Sequence, residues 1–492
     1  MTIFKSNPFH PVEDITLYQA LYSHMRAAIL SGELRGGMKL PSTRALAEEL
    51  NISRNTVLNA YRQLLAEGYL EGRKGSGTFV ASVLPESLLT VSGYSKPKAT
   101  SQKIAESPEP IFSEHAKMQI AVSQPPSNGK LPRPFLAEAP ALDVFPYKLW
   151  SRLIVRQARR IPINSFAYQD SSGYRPLREA IAAHITVSRQ VHCTPEQVMI
   201  VPGSQGALDL ATRMLVNAGD AVWIEDPGYP GARGAFLGSG ARVIPIPVDH
   251  EGLIVEAGTA RAPKARLVYI TPSHQFPLGV TMSISRRLAL LDWAKRTNAY
   301  ILEDDYDSEF RFAGHPLASL QGLDTEERVI YIGTFSKVLF PSLRIGYMVL
   351  PMLLIDSFLK VRRLIDIHSP ILEQAVLADF IIEGHYIRHL RRMRTLYAER
   401  RNALLEATKN LSLEMFAPEA GIHCVGWLAD GVSDQILANK AREYDLELTP
   451  ISTFSIEHLG RKGLLLGYGG YSVSEIKKAA KRLGSLLHSI HE

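Results

Sequence analysis

The chain has 492 residues, of which 46% are hydrophobic and 21% charged, and its formal net charge is +6. This composition excludes a disordered or collagen-like chain, and at roughly 100 to 200 residues per domain the length predicts two or three domains. Cys193 and Cys424 are the only cysteines, and their spacing predicts neither a disulfide framework nor a metal site. Because no apolar stretch has signal-peptide or membrane-spanning length, we expect a cytoplasmic protein without membrane contact.

The first eighty residues have the pattern of three helices. An apolar residue recurs at every fourth position from Leu17 to Ile29, which predicts a first helix with one apolar stripe. Ser42 and Ser53 are predicted N-caps of a second and a third helix, separated by a short turn. The third helix is expected from Arg54 to about Glu67, with these residues on its buried face: Val57, Tyr61, Leu64 and Leu65.

Two strand-like runs follow the third helix, Tyr69–Glu71 and Gly77–Val80, and the segment between them is basic and rich in glycine. This pattern predicts a β-hairpin after a helix-turn-helix, which is a winged helix. Such a module binds DNA, although a solvated polar face on a small helical subdomain is the alternative. We expect these residues to contact DNA: Arg44, Arg54, Asn55, Thr56, Lys74, Gly75 and Thr78.

The module resembles the winged helix of the GntR family of bacterial transcription factors. The residues that carry the resemblance are Leu40–Ala47, Ser53–Val57, Leu65–Leu70 and Gly75–Val80. In that family the residues at Arg44, Arg54 and the hairpin tip face DNA. We therefore assign residues 12–82 to a GntR-type winged-helix domain, mainly α-helical, that binds operator DNA.

Residues 83–130 are predicted to be a linker. Periodicity is lost there, and Ser, Pro, Lys and Gln dominate. An irregular surface loop is the alternative, although ordered loops much longer than about 15 residues are uncommon. The expected consequence is that the modules on either side can move relative to one another.

Residues 131–492 alternate apolar strands with helical stretches, which predicts a mostly parallel sheet covered by helices. The predicted strands are 198–201, 221–225, 266–270, 300–303, 329–332 and 346–350. In such α/β folds ligands bind beyond the carboxyl ends of the strands. Chemically active residues follow several of these strands directly.

Four motifs occupy those strand ends. Ser204 and Gln205 lie in a glycine-bearing turn that opens a helix, an arrangement that favours a phosphate. Tyr229 follows the second strand, and Asp304 and Tyr306 follow the fourth among further carboxylates, which alone would suggest a metal site or a solvated loop. A fourth motif, Thr334-Phe335-Ser336-Lys337 with Arg344 downstream, combines a lysine with hydroxyls and a guanidinium.

Together the motifs resemble the fold type I pyridoxal 5'-phosphate aminotransferases, α/β proteins with a smaller C-terminal subdomain. The resemblance covers nearly all of residues 131–492 and implies that Lys337 is the catalytic lysine that forms the Schiff base. It implies that Asp304 holds the pyridinium nitrogen, Tyr306 contacts the ring hydroxyl and Tyr229 stacks on the ring. The residues expected around the phosphate are Ser204, Gln205, Thr334, Ser336 and Arg344.

The sequence departs from aminotransferases at two positions. Phe276 stands where they commonly have an asparagine near the ring hydroxyl, and His274 or Gln275 is a candidate replacement. Near the C-terminus, Leu464–Tyr468 replaces a stretch that often contains an arginine for the substrate carboxylate. We therefore expect the domain to hold its cofactor for sensing rather than for efficient transamination.

A GntR-type winged helix followed by a fold type I domain is typical of the MocR family of bacterial regulators. The resemblance implies a head-to-tail homodimer that binds operator DNA and senses pyridoxal phosphate or a small amine effector. It further implies control of vitamin B6 synthesis or of amino-compound metabolism. The alternative function is a catalytically active aminotransferase that carries a DNA-binding module.

Overall fold

The structure, a computed structural model, describes residues 4, 9, 15–73, 75–84, 111–123, 133–137, 139–160, 162–312, 318–457 and 459–491. It divides into two compact units, Met1–Glu109 and Pro110–Glu492. The predicted fold class, a winged helix together with a fold type I α/β domain, is confirmed. The exact domain limits 12–82, 83–130 and 131–492 stay predictions.

The first unit consists of three helices and a hairpin. The helices are α1 (Leu17–Leu30), α2 (Thr43–Leu50) and α3 (Arg54–Ala66), and the antiparallel strands are β1 (Leu70–Arg73) and β2 (Gly77–Val80). The Ser42 and Ser53 hydroxyls accept hydrogen bonds from the backbone N–H groups of Ala45 and Thr56, as N-caps do. Both caps follow the sequence prediction, and α1 and α2 pack against α3 around one apolar core.

Two details of this unit differ from the predicted apolar faces. Leu65 is 37% exposed, whereas its neighbour Leu64 is fully buried. Consecutive residues on a helix point about 100° apart, so both cannot face the same narrow core. Leu17, at the first position of α1, is also exposed. Lys74, predicted to contact DNA, lies outside the described residues.

Part of the predicted linker forms a helix, α4 (Glu114–Val122), whose N-cap is the Ser113 side chain. It has no buried residue and no apolar stripe, which is why its helical period is invisible in the sequence. It packs against α8 (Pro230–Gly238), and Gln119 Nε2 donates to the Gly234 carbonyl at 3.0 Å. Residues 114–122 are thus attached to the second unit.

The second unit is built on an eight-stranded sheet whose order is β3-β10-β9-β8-β7-β4-β5-β6. Its strands are β3 (Val198–Val201), β4 (Ala221–Asp226), β5 (Arg242–Asp249), β6 (Gly252–Leu253), β7 (Leu267–Ile270), β8 (Tyr300–Asp305), β9 (Val329–Thr334) and β10 (Gly346–Val349). Strand β10 is antiparallel to both of its neighbours, and β6 is antiparallel to β5, while the other pairs are parallel. All six predicted strands are present.

Helices cover both faces of this sheet, which explains why its central strands are continuously apolar. One face packs on α7 (Gly203–Leu215), α8 and α11 (Ile355–Ile365), and the other on helices that include α6 (Arg175–Arg189) and α10 (Ile284–Thr297). The remaining helices of the unit are α5 (Tyr147–Arg160), α6 (Arg175–Arg189), α7 (Gly203–Leu215), α9 (Val255–Arg261), α10 (Ile284–Thr297), α11 (Ile355–Ile365), α12 (Ile371–Ile382), α13 (His385–Thr408), α14 (Asp434–Ala441) and α15 (Val473–His491).

A smaller antiparallel sheet forms the C-terminal part of this unit, in the order β11-β12-β14-β13. Its strands are β11 (Glu414–Met415), β12 (His423–Trp427), β13 (Thr449–Pro450) and β14 (Gly463–Gly467). Asp226 ties the end of β4 to this part, because its carboxylate accepts from the backbone N–H groups of Ile456 and Glu457 at 2.7 and 2.9 Å. No described helix is long and apolar enough to cross a membrane.

Candidate functional site

The candidate DNA-binding residues lie at the start of α3, at the start of α2 and in the hairpin. Arg54 and Asn55 are exposed in the first turn of α3, while the Thr56 hydroxyl is 2.9 Å from that of Ser53. Arg44 is exposed on α2 and forms an ion pair with Glu48 at 3.2 Å. In the hairpin, Gly75 has a φ of +77° in the turn, and Thr78 lies on β2. Their contacts with DNA stay predictions.

The nine predicted cofactor residues all line one cavity of about 140 Å³ in the second unit. They are Ser204, Gln205, Tyr229, Asp304, Tyr306, Thr334, Ser336, Lys337 and Arg344. The strand register explains the convergence, because Gly346 at the start of β10 pairs with Thr334 at the end of β9 and with Val201 at the end of β3. The structure thus brings the nine together, and their individual roles stay predictions.

One end of the cavity has the chemistry of a phosphate site. Helix α7 begins there without a side-chain cap, so its first backbone N–H groups are available to an anion. The Arg344 guanidinium donates to the Pro202 carbonyl at 3.0 Å and lies beside Gly203, where an added Cβ would be 3.2 Å from Nη2. Ser336 Oγ is buried and has no hydrogen-bond partner among the described residues. These donors fit a phosphate.

The cavity wall also presents a carboxylate. Asp304 is 4% exposed at the end of β8, and its Oδ2 accepts a hydrogen bond of 2.9 Å from the Tyr269 hydroxyl. Burial and the Asp304 charge hold the pKa of Tyr269 well above its ordinary value, so the phenol remains a donor. A buried carboxylate fixed in this way can accept from a protonated ring nitrogen.

The Tyr306 hydroxyl contacts a second hydrogen-bonded pair. It lies 3.0 Å from His274 Nδ1, which is also 2.9 and 3.0 Å from the two Asp307 carboxylate oxygens. His274 and Asp307 are both almost fully buried. This arrangement fixes the position of the Tyr306 side chain at the cavity wall.

The crowded carboxylates of residues 303–307 separate into different environments. Glu303 accepts from the backbone N–H groups of Leu320 and Gln321, and burial raises its pKa. Asp305 forms a buried ion pair with Arg189 at 2.7 Å. With Asp304 and Asp307 engaged as described, each of the four has its own partners. The solvated-loop interpretation is therefore wrong, because these side chains are buried.

The two departures from aminotransferases both bear on the cavities. Phe276 lines the cofactor cavity and also an adjoining cavity, of which Leu465 forms part of the wall. Neither candidate replacement for the missing asparagine lines the cofactor cavity. The Gln275 side-chain amide donates to the carbonyls of Pro227 and Phe276, at 2.8 and 2.7 Å. His274 contacts Asp307 and Tyr306.

Two polar residues of this site, Tyr269 and Thr271, were not predicted from the sequence. Tyr269 holds Asp304, and Thr271 lines the same cavity, where its hydroxyl donates to Glu225 at 2.6 Å. Burial raises the pKa of Glu225 to about 7. A buried hydroxyl on an otherwise apolar strand requires a hydrogen-bond partner. Tyr269 in β7 is such a residue, so the sequence could have predicted that it contacts a polar group of the site.

Comparison with known proteins agrees with this architecture. Residues 17–80 match the family described as bacterial regulatory proteins, gntR family, and residues 156–483 match aminotransferase class I and II. The probable rhizopine catabolism regulatory protein MocR of Rhizobium meliloti is 40% identical over 96% of this chain and 94% of its own. The pyridoxine biosynthesis transcriptional regulator PdxR of Corynebacterium glutamicum is 27% identical over 95% of each chain.

A solved structure shows the same similarity for the second unit. LysN, the alpha-aminoadipate aminotransferase of Thermus thermophilus complexed with N-(5'-phosphopyridoxyl)-L-leucine, is 28% identical. The match covers 77% of this chain and 98% of LysN, with a TM-score of 0.70. The fold and the site thus define a winged helix joined to an aminotransferase-like domain. The chain belongs to the MocR-type regulators, which unite a gntR-family module with an aminotransferase class I and II domain.

Proposed function

We propose that the protein is a transcriptional regulator that binds operator DNA through the winged helix and carries pyridoxal 5'-phosphate in the cavity at Lys337. One observation carries the proposal: Lys337, a buried carboxylate and a set of phosphate donors line the same cavity. When bound, this cofactor supplies an aldehyde that reacts with an amine and a ring that withdraws electrons. The protein acts in the cytoplasm, where its DNA lies.

Each residue has a proposed role toward the cofactor. Lys337 supplies the amine, Asp304 accepts from the ring nitrogen, Tyr306 contacts the ring hydroxyl and Tyr229 stacks on the ring. The Tyr269 hydroxyl keeps Asp304 in place. The residues that bind the phosphate are Ser204, Gln205, Thr334, Ser336 and Arg344.

The signal is the arrival of the cofactor or of a small amine that meets it there. A ligand changes DNA binding only if it has different affinities for the conformations that bind DNA well and poorly. The relatives named for pyridoxine biosynthesis and rhizopine catabolism support target genes for vitamin B6 synthesis or amino-compound metabolism. The protein acts as a head-to-tail homodimer, which sedimentation of the purified chain would test.

The first experiment is an absorbance spectrum of the full-length protein with added pyridoxal 5'-phosphate. It is followed by binding to DNA fragments that the protein selects from a random-sequence pool, with and without the cofactor. We expect a visible band and a changed DNA affinity, both abolished by Lys337→Ala. Lys360→Ala, at an exposed position of α11, removes an equal charge and should change neither.

Two results would contradict this function. Retention of the band and of the DNA response in Lys337→Ala would remove the lysine from the mechanism. Steady transamination at ordinary enzymatic turnover, with no effect of the cofactor on DNA, would favour an aminotransferase instead. Phe276 and Leu465 count against that second function, because neither side chain can hydrogen-bond to a substrate.

A further inference from the structure

A second cavity, of about 350 Å³, adjoins the cofactor cavity. The two share Gln205, Tyr229 and Phe276 as common wall residues. We call the second one the effector cavity, and its lining also includes Gln119 of α4 and Leu465 of β14. A ligand in it would lie beside the cofactor and against the helix that precedes the aminotransferase-like fold.

The described lining of the effector cavity carries no charge. Among the residues that the structure describes, no Arg, Lys, His, Asp or Glu lines it. Its hydrogen-bonding side chains include Gln119, Gln205 and Thr449, which recognise hydroxyl or amide groups. A ligand carboxylate placed here would lose water without gaining a counter-charge, which is costly.

Cationic side chains occur in a neighbouring cavity of about 650 Å³, which Arg233 and Arg442 line. That cavity also contains Glu225 and Glu447, and Arg442 lies 3.8 Å from Glu447. Its lining therefore contains carboxyl groups as well as guanidinium groups. A short ligand that fills the effector cavity does not need to enter it.

We propose that the effector cavity accepts a small primary amine whose remaining groups are uncharged, such as an amino alcohol, and discriminates against amines that bear a carboxylate. The inference rests on the proposed function, because the amino group is directed towards the cofactor cavity that contains Lys337. The hydroxyl end of the ligand lies between the polar side chains of α4 and β13. The specificity therefore depends on Gln119, in the segment predicted from sequence to be only a linker.

Two probes that differ in one terminal group test this inference. 4-Amino-1-butanol and 4-aminobutyrate have the same chain length and the same amine, and calorimetry with the full-length, cofactor-loaded protein measures their affinities. We expect the alcohol to bind at least about tenfold more tightly, because only the acid places an unpaired charge against an uncharged wall.

Two variants on α4 add a positive charge either on the wall of the effector cavity or away from it, and neither disturbs a hydrophobic core. Gln119→Arg puts a guanidinium on the cavity wall and keeps a donor for the Gly234 carbonyl. We expect it to shift the preference towards 4-aminobutyrate by about tenfold. Met118→Arg adds the same charge at an exposed position that does not line the cavity, and the preference should stay as in the unmodified protein.

Several outcomes would overturn the inference. Equal or tighter binding of 4-aminobutyrate would do so, and loss of that binding in Arg233→Ala would place the carboxylate in the neighbouring cavity. If neither amine binds while cofactor absorbance and a cofactor-dependent DNA response are present, the inference fails and the proposed function stands. Absence of the cofactor band would instead overturn the proposed function, and this inference with it.

Discussion

The Tyr306 hydroxyl lies 3.0 Å from Nδ1 of His274, and the same nitrogen lies within 3.0 Å of both carboxylate oxygens of Asp307. An ionised carboxylate can only accept, so the Nδ1–H group donates to Asp307 and shares its proton with the Tyr306 oxygen. The Tyr306 oxygen therefore accepts in this contact, and its O–H group can donate to another partner. The histidine positions a donor at the cavity wall.

This relationship predicts a spectroscopic effect of His274→Leu. A phenol that donates to the ring oxygen of the cofactor favours the deprotonated form of the bound cofactor. Misplacing Tyr306 should therefore raise the pH at which the bound cofactor loses its proton, which is measured as the midpoint of a change in visible absorbance. We expect a shift of about one pH unit, which is about 1.4 kcal/mol. Tyr306→Phe should shift the midpoint in the same direction. An unchanged midpoint in His274→Leu would leave the histidine with a packing role alone.

Replacement of Gly346 by alanine should weaken both the fold and cofactor binding. Its Cβ would lie 2.9 Å from the backbone of Gly203 and from the Gly333 carbonyl, and neither backbone can rotate away. We expect a loss of about 1–3 kcal/mol in the free energy of unfolding and a lower cofactor affinity, because Gly203 begins α7. Thermal melting and cofactor titration measure the two effects.

Gly460→Ala is the matched control, since no atom of the described residues other than its chain neighbours lies within 4 Å of its added Cβ, and its φ is not in the left-handed region. It should leave the melting temperature and the cofactor affinity unchanged. If Gly346→Ala behaved like this control, close packing of β10 against the start of α7 would not contribute to the site.

Glu225 should make stability depend on pH. Burial raises its pKa to about 7 in the folded protein from 4.5, so the unfolded chain releases this proton first as the pH rises. Its contribution to stability therefore falls between about pH 4.5 and 7, by on the order of 1–3 kcal/mol. The difference in melting temperature between Glu225→Gln and the unmodified protein should therefore favour the variant more at pH 8 than at pH 5.

The same series with Glu256→Gln tests whether the effect belongs to Glu225. Glu256 is exposed on α9, and its amide variant should follow the unmodified protein across the pH range. A constant difference between Glu225→Gln and the unmodified protein at every pH would contradict the assignment.

Arg54→Ala should weaken binding to the selected DNA by about 10- to 100-fold, as expected for loss of one specific base contact of about 1–3 kcal/mol. Arg54 is exposed in the first turn of α3, the part of a recognition helix that meets base edges. Arg62→Ala removes the same charge from an exposed position further along α3 and should cost less. Equal losses measured by fluorescence anisotropy would indicate a purely electrostatic contribution.

The sequence predicted the elements whose signal is local. The caps Ser42 and Ser53 and the apolar strands of the parallel sheet were predicted because capping and burial on both faces leave a mark on neighbouring residues. Helix α4 was missed because its contacts are made by side chains against α8 rather than by an apolar stripe. Its docking depends on residues more than one hundred positions away.

The candidate site was predicted as a set of residues but not as a network. Motif order located Asp304 and Lys337, and the structure places both on one cavity. The contacts that Tyr269 and His274 make were not predictable from the sequence, since their geometry arises only when β7, β8 and the following loops pack together. Likewise the adjoining carboxylates looked alike in sequence and are distinguished by their tertiary partners.

The reversed direction of β10 has a consequence for how the anchor of the cofactor is built. Strand β9 ends at Thr334 and β10 begins at Gly346, which pairs with Thr334, so the loop between them starts and ends at the same edge of the sheet. Lys337 and Arg344 both lie in that loop. One loop of the chain therefore carries both the amine and the guanidinium, and the Pro202 carbonyl holds the guanidinium against the start of α7.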